Sequence, residues 1–249
     1  MDDYPTIKHL RINMIKRNIP NALTLLNAIF GFCATIYILK DDFFLAFLFI
    51  FGALIADFLD GFVARLLKVQ SEIGSQLDSL ADAISFGVVP AVLAREILIH
   101  NIHEYDLEIP ITLFAACIAA FSVLRLARFN VEKTDPTFFT GLNTPTNTIF
   151  WMGVAIAQAN SFSIIGKLAN NPVAVSIAIV LSCYLLVSRI KMFSLKNFSG
   201  LLRNRWFLIF FIGAVACALF ATSDALVFAI LLYVLVNIGQ NIFAQKNNK

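Results

Sequence analysis

Residues 43–66 read FFLAFLFIFGALIADFLDGFVARL, an apolar run that carries two aspartates in its second half. A helix needs about 20 mostly apolar residues to cross the roughly 30 Å hydrocarbon core of a bilayer, and this run is long enough. Charged side chains at membrane depth are costly, so Asp57 and Asp60 indicate a water-filled cavity, a partner or a metal ion. The segment therefore predicts a membrane-spanning helix that contributes to a functional site.

The composition of the whole chain agrees with a membrane protein. Of the 249 residues, 59% are apolar, 25 are Phe and only 14% are charged, and the mean hydropathy is +0.80. Ordinary soluble domains are nearer half apolar and a quarter charged. These values exclude a soluble enzyme, a disordered chain and a secreted disulfide scaffold. The four cysteines lie singly in separate apolar stretches, which favours packing over a metal or redox role.

Apolar runs that fit a membrane span recur along the chain. They cover residues 21–39, 43–66, 80–99, 110–129, 146–165, 172–190, 206–222 and 224–243. The predicted fold class is an all-α polytopic membrane protein with about eight transmembrane helices. We expect a membrane core over residues 20–190, a basic loop over 191–205, an accessory helix pair over 206–243 and a tail over 244–249.

Residues 1–19 have a different pattern. Ile7, Leu10 and Met14 recur at helical spacing, with basic residues around the remaining face. This pattern is typical of an amphipathic helix that lies in the headgroup layer, and a disordered basic arm is the alternative. The segment lacks the uninterrupted apolar region and the cleavage site of a signal peptide. We expect Pro20 to break the chain before the first span.

The basic residues predict the orientation of the chain. With the N-terminus inside, all of the 19 Lys and Arg residues except Lys40, Arg95 and Lys167 lie on the inner side. Lys and Arg are enriched in cytoplasmic loops of membrane proteins. We therefore expect both termini, and the acidic cluster described next, to lie on the cytoplasmic side of the cell membrane.

Two pairs of aspartates fall at helical spacing on neighbouring spans. Asp57 and Asp60 stand at i and i+3, and Asp78 and Asp82 stand at i and i+4, so each pair shares one helical face. A short connection joins the two helices, so that an antiparallel pair brings the acidic faces together. Isolated acids near helix ends also occur in the headgroup layer, and this is the structural alternative.

Four neighbouring carboxylates need counter-charge to remain ionised. Oxygen ligands without His or Cys favour Mg²⁺ or Mn²⁺ over zinc, and a two-ion site suits phosphoryl transfer. Gly61 and Ala64 lie on the same face as the first acidic pair, where small residues let a bulky diphosphate ligand approach the helix. Arg65 is placed to contact a phosphate oxygen.

The pattern Asp57-x2-Asp60-Gly61-x2-Ala64-Arg65-x8-Gly74-x3-Asp78-x3-Asp82 resembles the motif of the CDP-alcohol phosphotransferase family. The resemblance implies a core of six transmembrane helices, usually in a homodimer. It also implies transfer of a substituted phosphoryl group from a CDP-alcohol to a second alcohol, with release of CMP. By this resemblance, the four aspartates hold two divalent ions and Asp82 is the general base. Gly61 and Ala64 then line the cytidine pocket, and Arg65 and Gly74 complete the motif.

Further segments resemble phosphatidylserine synthases of the bacterial and archaeal type. They are Leu77–Asp82 running into Ser85-Phe86-Gly87, then Arg125-Leu126-Ala127-Arg128-Phe129-Asn130, then Phe139-Thr140-Gly141-Leu142, together with Thr24 and Asn27 of the first span. This resemblance implies CDP-diacylglycerol and L-serine as substrates. Thr24 and Asn27 are then expected on the CDP-diacylglycerol side. Arg125, Arg128, Asn130, Ser85 and Gly141 are expected on the serine side. The chain departs from the family at Asn143, where proline is usual.

The sequence leaves open the role of two arginines, the acceptor alcohol and the class of protein. Arg125 and Arg128 suit a carboxylate or phosphate, but arginines at inner helix ends also anchor helices in headgroups. The acceptor alcohol is alternatively glycerol 3-phosphate or an inositol phosphate. Because intramembrane acids also mark ion paths, an ion-coupled transporter is the rival from another class. Membrane lipids are expected partners and nucleic acids are not.

Overall fold

A computed structural model describes residues 7–69, 71–102, 105–131, 138–160, 162–193, 206, 210–215 and 222–247. Within these ranges the chain is predominantly helical, which confirms the predicted all-α class. The helices are α1 (Ile7–Ile38), α2 (Phe43–Leu67), α3 (Glu72–Asp82), α4 (Val89–Asn101), α5 (Glu108–Val131), α6 (Thr144–Gln158), α7 (Ile164–Ala169), α8 (Pro172–Val187) and α9 (Ala225–Asn247). Residues 210–215 are also helical.

Among the described residues, five helical stretches are long and apolar enough to cross a membrane. They are Asn18–Ile38, Phe43–Leu67, Glu72–Asn101, Glu108–Val131 and Ala225–Phe243, and the apolar helix Pro172–Val187 is shorter. The polytopic prediction is therefore confirmed. The third stretch is continuous because a π-helical segment, Ala83–Val88, joins α3 to α4. About half of the predicted span over 206–222 lies outside the described residues.

The predicted fifth span is shorter in the structure. The run 146–165 is divided, because α6 ends at Gln158 and α7 begins at Ile164. Ser163 caps α7 by accepting a hydrogen bond from the Gly166 amide at 2.6 Å. Asp224 accepts a further hydrogen bond from the Ile164 amide at 3.0 Å, and this contact fixes the start of α9 against α7. Polar capping residues therefore end a run that apolar composition alone would extend.

The described structure divides into two compact units, one that ends at Ser85 and one that begins at Phe86. In the first unit, α1 packs against both α2 and α3. The Ser85 hydroxyl donates a hydrogen bond to the Asn27 carbonyl at 2.8 Å. A Cβ atom added to Gly31 would lie 2.6 Å from the Ser85 Cα atom. Glycine at this position therefore allows the two backbones to approach closely.

Pro20 does not break the chain as the sequence predicts. Helix α1 runs without interruption from Ile7 to Ile38 with Pro20 inside it. A proline in a helix interior costs about 3 kcal/mol. Packing of α1 along α2, the most extensive contact between two helices of this unit, offsets that local cost. The predicted interfacial position of the N-terminal segment stays a prediction.

Among the described residues, the second unit contains one short two-stranded sheet, and the other regular elements are helices. Strand β1 (Phe138–Thr140) pairs antiparallel with β2 (Lys191–Phe193), with Phe139 opposite Met192. Gly141 follows β1 with a φ of +72°. A Cβ atom there would lie within 3 Å of the Leu185 and Leu186 carbonyl oxygens. Glycine is therefore required for backbone packing at this position.

Asn143, where the sequence departs from the family pattern, has a defined structural role. Its side chain accepts a hydrogen bond from the Thr146 amide at 2.9 Å and caps the N-terminus of α6. Pro145 stands in the first turn of the same helix, where its missing amide hydrogen is harmless. The substitution therefore replaces proline with a favourable helix cap.

Candidate active site

The acidic residues of α2 and α3 converge in the first unit. One carboxylate oxygen from each of Asp57, Asp60 and Asp78 lies within 4.8 Å of the others. Asp60 is buried, with 6% of its surface exposed, and the other two are half-buried. The predicted convergence of these three aspartates is confirmed.

The connection between α2 and α3 explains this convergence. Lys68 ends α2 in the left-handed conformation, with a φ of 54°, and its amide donates to the Ala64 and Arg65 carbonyls. Ser71 begins α3 by accepting a hydrogen bond from the Gly74 amide at 3.0 Å. Both caps satisfy backbone groups that a helix terminus leaves unpaired. The chain therefore reverses within a few residues and the two acidic faces meet.

Asp82 faces the same cluster from one turn further along α3. Its carboxylate interacts electrostatically with those of Asp57, Asp78 and Asp60. Asn27 of α1 donates a hydrogen bond from Nδ2 to Asp82 Oδ1 at 3.1 Å. Because Asn27 is fully buried, this contact fixes the orientation of the Asp82 carboxylate.

Thr24 makes the corresponding contact with the other helix. Its hydroxyl donates to Asp60 Oδ2 at 2.5 Å, and Thr24 is buried. Thr24 and Asn27 stand at i and i+3 on α1, so one face of this helix positions an aspartate of α2 and another of α3. The family resemblance predicts both residues on the CDP-diacylglycerol side but does not predict their aspartate partners. The sequence feature that indicates such partners is the presence of two polar residues on one face of an apolar span.

A cavity of about 530 Å³ adjoins the aspartates. Its volume lies within the range of about 300–1,000 Å³ that is typical of small-molecule sites. The lining comes from α1, α2, α3 and the connection between α2 and α3: Pro20, Asn21, Thr24, Asp60, Gly61, Ala64, Arg65, Val69, Ser71, Glu72, Gly74, Ser75 and Asp78. The motif residues Gly61, Ala64, Arg65 and Gly74 therefore share one cavity with two of the aspartates.

The small residues keep this cavity open. A Cβ atom on Gly74 would lie 3.0 Å from Ser71 Oγ and 3.4 Å from Asn21 Oδ1. A Cβ atom on Gly61 would lie 3.4 Å from Arg65 Nη1. Side chains at either position would fill space that a ligand can occupy, as the sequence predicts for Gly61.

The donor set fits a hard divalent cation. Its ligand atoms are carboxylate oxygens, which Mg²⁺ and Mn²⁺ prefer, and the cluster contains no thiolate or imidazole. Carboxylates this close together repel one another without counter-charge. A bound cation is the simplest source of that charge.

The residues predicted on the serine side are divided between the two units. Ser85 lies in the first unit and donates to the Asn27 backbone, so it supports the residue that holds Asp82. Arg125, Arg128, Asn130 and Gly141 belong to the second unit. On α5, Arg125 is buried, with 9% of its surface exposed, whereas Arg128 and Asn130 are exposed. A direct role for these residues in acceptor binding stays a prediction.

The chain is similar to several characterised proteins. A family model described as CDP-alcohol phosphatidyltransferase matches residues 17–244. A Bacillus subtilis protein is 32% identical over 191 residues, which are 76% of this chain and 98% of that protein. A Methanocaldococcus jannaschii protein is 34% identical over 174 residues, 70% of this chain and 72% of that protein. A Mycobacterium bovis protein is 35% identical over 144 residues, 55% of this chain and 48% of that protein.

All three relatives are named CDP-diacylglycerol–serine O-phosphatidyltransferase. The match spans nearly the whole Bacillus protein and about half the length of the mycobacterial one. The family model covers most of the chain, including every aspartate of the site. The chain belongs to the CDP-alcohol phosphatidyltransferase family.

Proposed function

We propose that this protein transfers the phosphatidyl group of CDP-diacylglycerol to the hydroxyl of L-serine, giving phosphatidylserine and CMP. The observation that carries the proposal is the convergence of Asp57, Asp60 and Asp78 beside a cavity of about 530 Å³. The names of the relatives support serine as the acceptor. Membership of the family favours this enzyme over the ion-coupled transporter.

In this proposal, Asp57, Asp60, Asp78 and Asp82 hold two divalent ions, Mg²⁺ or Mn²⁺. Such ions, when bound, neutralise a diphosphate and the charge that develops during phosphoryl transfer. Thr24 holds Asp60 and Asn27 holds Asp82. These two hydrogen bonds position the carboxylates before any ligand binds.

The cavity between the three helices accommodates the CDP end of the donor substrate. Gly61 and Ala64 let the nucleotide approach α2, and Gly74 keeps the opposite wall open. Arg65 supplies a guanidinium group for a phosphate oxygen. The N-terminus of α3, at Ser71 and Gly74, adds the partial positive charge of a helix start.

Asp82 acts as the general base. Asn27 fixes its Oδ1 atom, and the other oxygen, Oδ2, accepts the proton of the serine hydroxyl. The serine oxygen forms a bond to the phosphorus that carries diacylglycerol. The bond from that phosphorus to the CMP oxygen breaks, and CMP leaves with the electron pair.

We propose that Arg125, Arg128 and Asn130 recognise serine. The serine carboxylate enters a site that already contains four acids and a diphosphate, so fixed positive charge is needed to hold it. A buried guanidinium such as that of Arg125 supplies planar, directional donors. Ser85 and Gly141 contribute by positioning, the first through Asn27 and the second by fixing the loop before α6.

The proposed setting is the cytoplasmic membrane, with both termini and the active site on the cytoplasmic side. The excess of Lys and Arg on that side supports the orientation. We also propose that the enzyme is a homodimer, as the resemblance to the family implies. Accessibility of single cysteines introduced near each terminus to an impermeant thiol reagent tests the orientation.

An acceptor panel tests the proposed reaction. We expect purified protein with CDP-diacylglycerol and Mg²⁺ or Mn²⁺ to release CMP when L-serine is added. Glycerol 3-phosphate, inositol and inositol phosphate are expected to support less than a tenth of that rate, because the acceptor site selects an amino acid carboxylate. Turnover with one of these alcohols and none with serine would contradict the assigned acceptor. Detergent solution removes all gradients, so CMP release there also excludes a transporter.

Thr24→Val tests the positioning of Asp60. The variant keeps the shape of the side chain but removes the 2.5 Å hydrogen bond to Asp60. Loss of a hydrogen bond that orients a metal-binding side chain typically lowers metal affinity or activity 10–100-fold. We expect the Mg²⁺ concentration for half-maximal CMP release to rise by about tenfold.

Thr35→Val is the matched control for this experiment. Thr35 lies on the same helix, and within the described ranges its hydroxyl donates only to the Gly31 carbonyl, at 3.1 Å. An unchanged metal requirement in Thr35→Val, with a raised one in Thr24→Val, supports the positioning role. Equal effects in the two variants would assign the change to α1 stability instead.

A further inference from the structure

The second unit contains an apolar cavity of about 240 Å³ that is lined by none of the residues proposed for the reaction. Its walls are formed by α6, α7, α8 and α9, with Leu142 from the loop before α6. A cavity of about 150 Å³ lined by apolar side chains is enough to bind benzene. This cavity is therefore large enough for several methylene groups of a flexible chain.

The shape of the cavity matches an extended hydrocarbon. Along α8 its lining runs from Ala174 to Leu185, which corresponds to about 16 Å at the rise of an α-helix. This length is about half of the roughly 30 Å hydrocarbon core of a bilayer. Ile177 and Leu181 of the lining are themselves more than half exposed on the surface of this unit. A lipid chain can therefore enter from the side.

One end of the cavity carries a polar group without a hydrogen-bond partner in the part of the chain that the structure describes. Asn147 lines the cavity and is fully buried. Neither its Nδ2 nor its Oδ1 atom has a hydrogen-bond partner among the described residues. A buried amide without partners is unfavourable, so this side chain indicates a ligand with a polar group. The other polar residue of the lining, Ser182, already accepts a hydrogen bond from Trp151 Nε1 at 3.2 Å.

The position of Asn147 gives the ligand a direction. Asn147 lies near the start of α6, close to Leu142 in the preceding loop, and the Leu142 amide donates to the Leu185 carbonyl at 2.9 Å at that end. The opposite end is lined by Ile165 and Val227 and is entirely apolar in the described structure. A chain with a carbonyl group at one end and a methyl group at the other fits this arrangement.

We propose that the cavity between α6, α7, α8 and α9 binds one acyl chain of a membrane lipid, with the acyl carbonyl oxygen accepting a hydrogen bond from Asn147 Nδ2. The apolar walls bind the methylene groups, and the methyl end lies toward Ile165 and Val227. The chain belongs either to the donor substrate or to a resident phospholipid. Because binding is measured without turnover, the inference stands or falls independently of the proposed reaction.

Lipid retention tests the site. Native mass spectrometry of the detergent-purified protein is expected to show one retained lipid per chain. Ala178→Phe places a ring in the cavity and is expected to lower the retained fraction at least tenfold. Ala120→Phe makes the same change at an exposed position of α5 and is expected to leave retention unchanged. Wild-type protein without lipid, or equal retention in both variants, would overturn the proposal.

Asn147→Leu provides a second variant that does not depend on filling the cavity. We expect reduced lipid retention, while the melting temperature of the delipidated protein stays equal to that of the wild type or rises, because an unsatisfied amide has been removed. Retention equal to that of the wild type would remove the assigned role of Asn147.

Photo-crosslinking tests the direction of the chain. The probe is phosphatidylglycerol in nanodiscs with a diazirine near the methyl end of one acyl chain. Labelling of Ile165, Val175 or Val227 that disappears in Ala178→Phe supports the assignment, whereas cavity labelling confined to Leu142 would overturn it. Displacement of the retained lipid by CDP-diacylglycerol identifies the substrate chain as the occupant, and persistence identifies a resident phospholipid. Both outcomes support an acyl-chain site.

Discussion

Replacing Asp82 with asparagine is expected to lower kcat for CMP release by about 10²–10⁴-fold, the usual contribution of a general base. Asparagine has nearly the same shape as aspartate, and its side-chain oxygen can still accept the hydrogen bond from Asn27 that is 3.1 Å long in the wild type. The position of the side chain is therefore expected to persist, whereas its ability to accept a proton is lost. Steady-state CMP release with saturating CDP-diacylglycerol and serine measures the change.

Two further measurements separate a proton acceptor from a metal ligand at this position. If Asp82 acts mainly as a base, raising the Mg²⁺ or Mn²⁺ concentration does not restore kcat in Asp82→Asn. Asp106→Asn is the control, because Asp106 is an exposed acid in a short 3₁₀ helix of the second unit. The kcat of this variant is expected to equal that of the wild type. An Asp82→Asn enzyme within threefold of the wild-type kcat would contradict the assigned role.

The sequence was sufficient for those parts of the site that depend on local spacing. Acids at i, i+3 and i, i+4 share a helical face whatever surrounds them, and a short connection forces neighbouring spans to run antiparallel. The convergence of Asp57, Asp60 and Asp78 follows from these two facts. The space beside Gly61 follows in the same way, because a residue without a side chain leaves a gap on its own helix face.

Contacts between distant residues were not predictable from spacing. Thr24 and Asp60 are 36 residues apart, and Asn27 and Asp82 are 55 apart. Their pairing depends on how α1 rotates against α2 and α3. Close packing at Gly31 against Ser85 sets this rotation, and no local pattern specifies it. The family resemblance therefore predicts Thr24 and Asn27 on the CDP-diacylglycerol side, but it does not predict their hydrogen bonds to Asp60 and Asp82.

Tertiary packing and polar caps also moved the predicted boundaries. Pro20 was expected to end a helix, but packing against α2 outweighs the cost of one proline. The fifth apolar run was expected to form one span, but the Ser163 cap starts a new helix within it. The pairing of Phe138–Thr140 with Lys191–Phe193 joins segments that are about 50 residues apart, so local propensity carried no signal for it.

Replacing Asp78 with asparagine is expected to abolish the stabilisation of the protein by divalent ions and to lower CMP release by at least 10²-fold. A ligand present at 100 times its dissociation constant stabilises the folded state by about 2.7 kcal/mol. For a protein of this size, that corresponds to a rise in melting temperature of about 5–10 °C. Asp57, Asp60 and Asp78, whose carboxylate oxygens lie within 4.8 Å of one another, form an aspartate triad, and Asp78 is its member from α3. Asp82, the other proposed ligand from α3, lies outside this triad, so the variant tests the triad itself.

The melting temperature with and without Mn²⁺ measures this effect without any substrate. Glu72→Gln is the matched control. Glu72 is an acid on α3 that lines the cavity of about 530 Å³ together with Asp78, but it lies outside the aspartate triad. If general negative charge in the cavity attracts the ion, both variants lose the Mn²⁺-dependent rise to a similar extent, and the proposed metal site is wrong. If the ion is held by the carboxylates that lie within 4.8 Å of one another, only Asp78→Asn loses the rise. Because the triad joins α2 to α3, ion binding then also accounts for how the two acidic faces stay together despite their mutual repulsion.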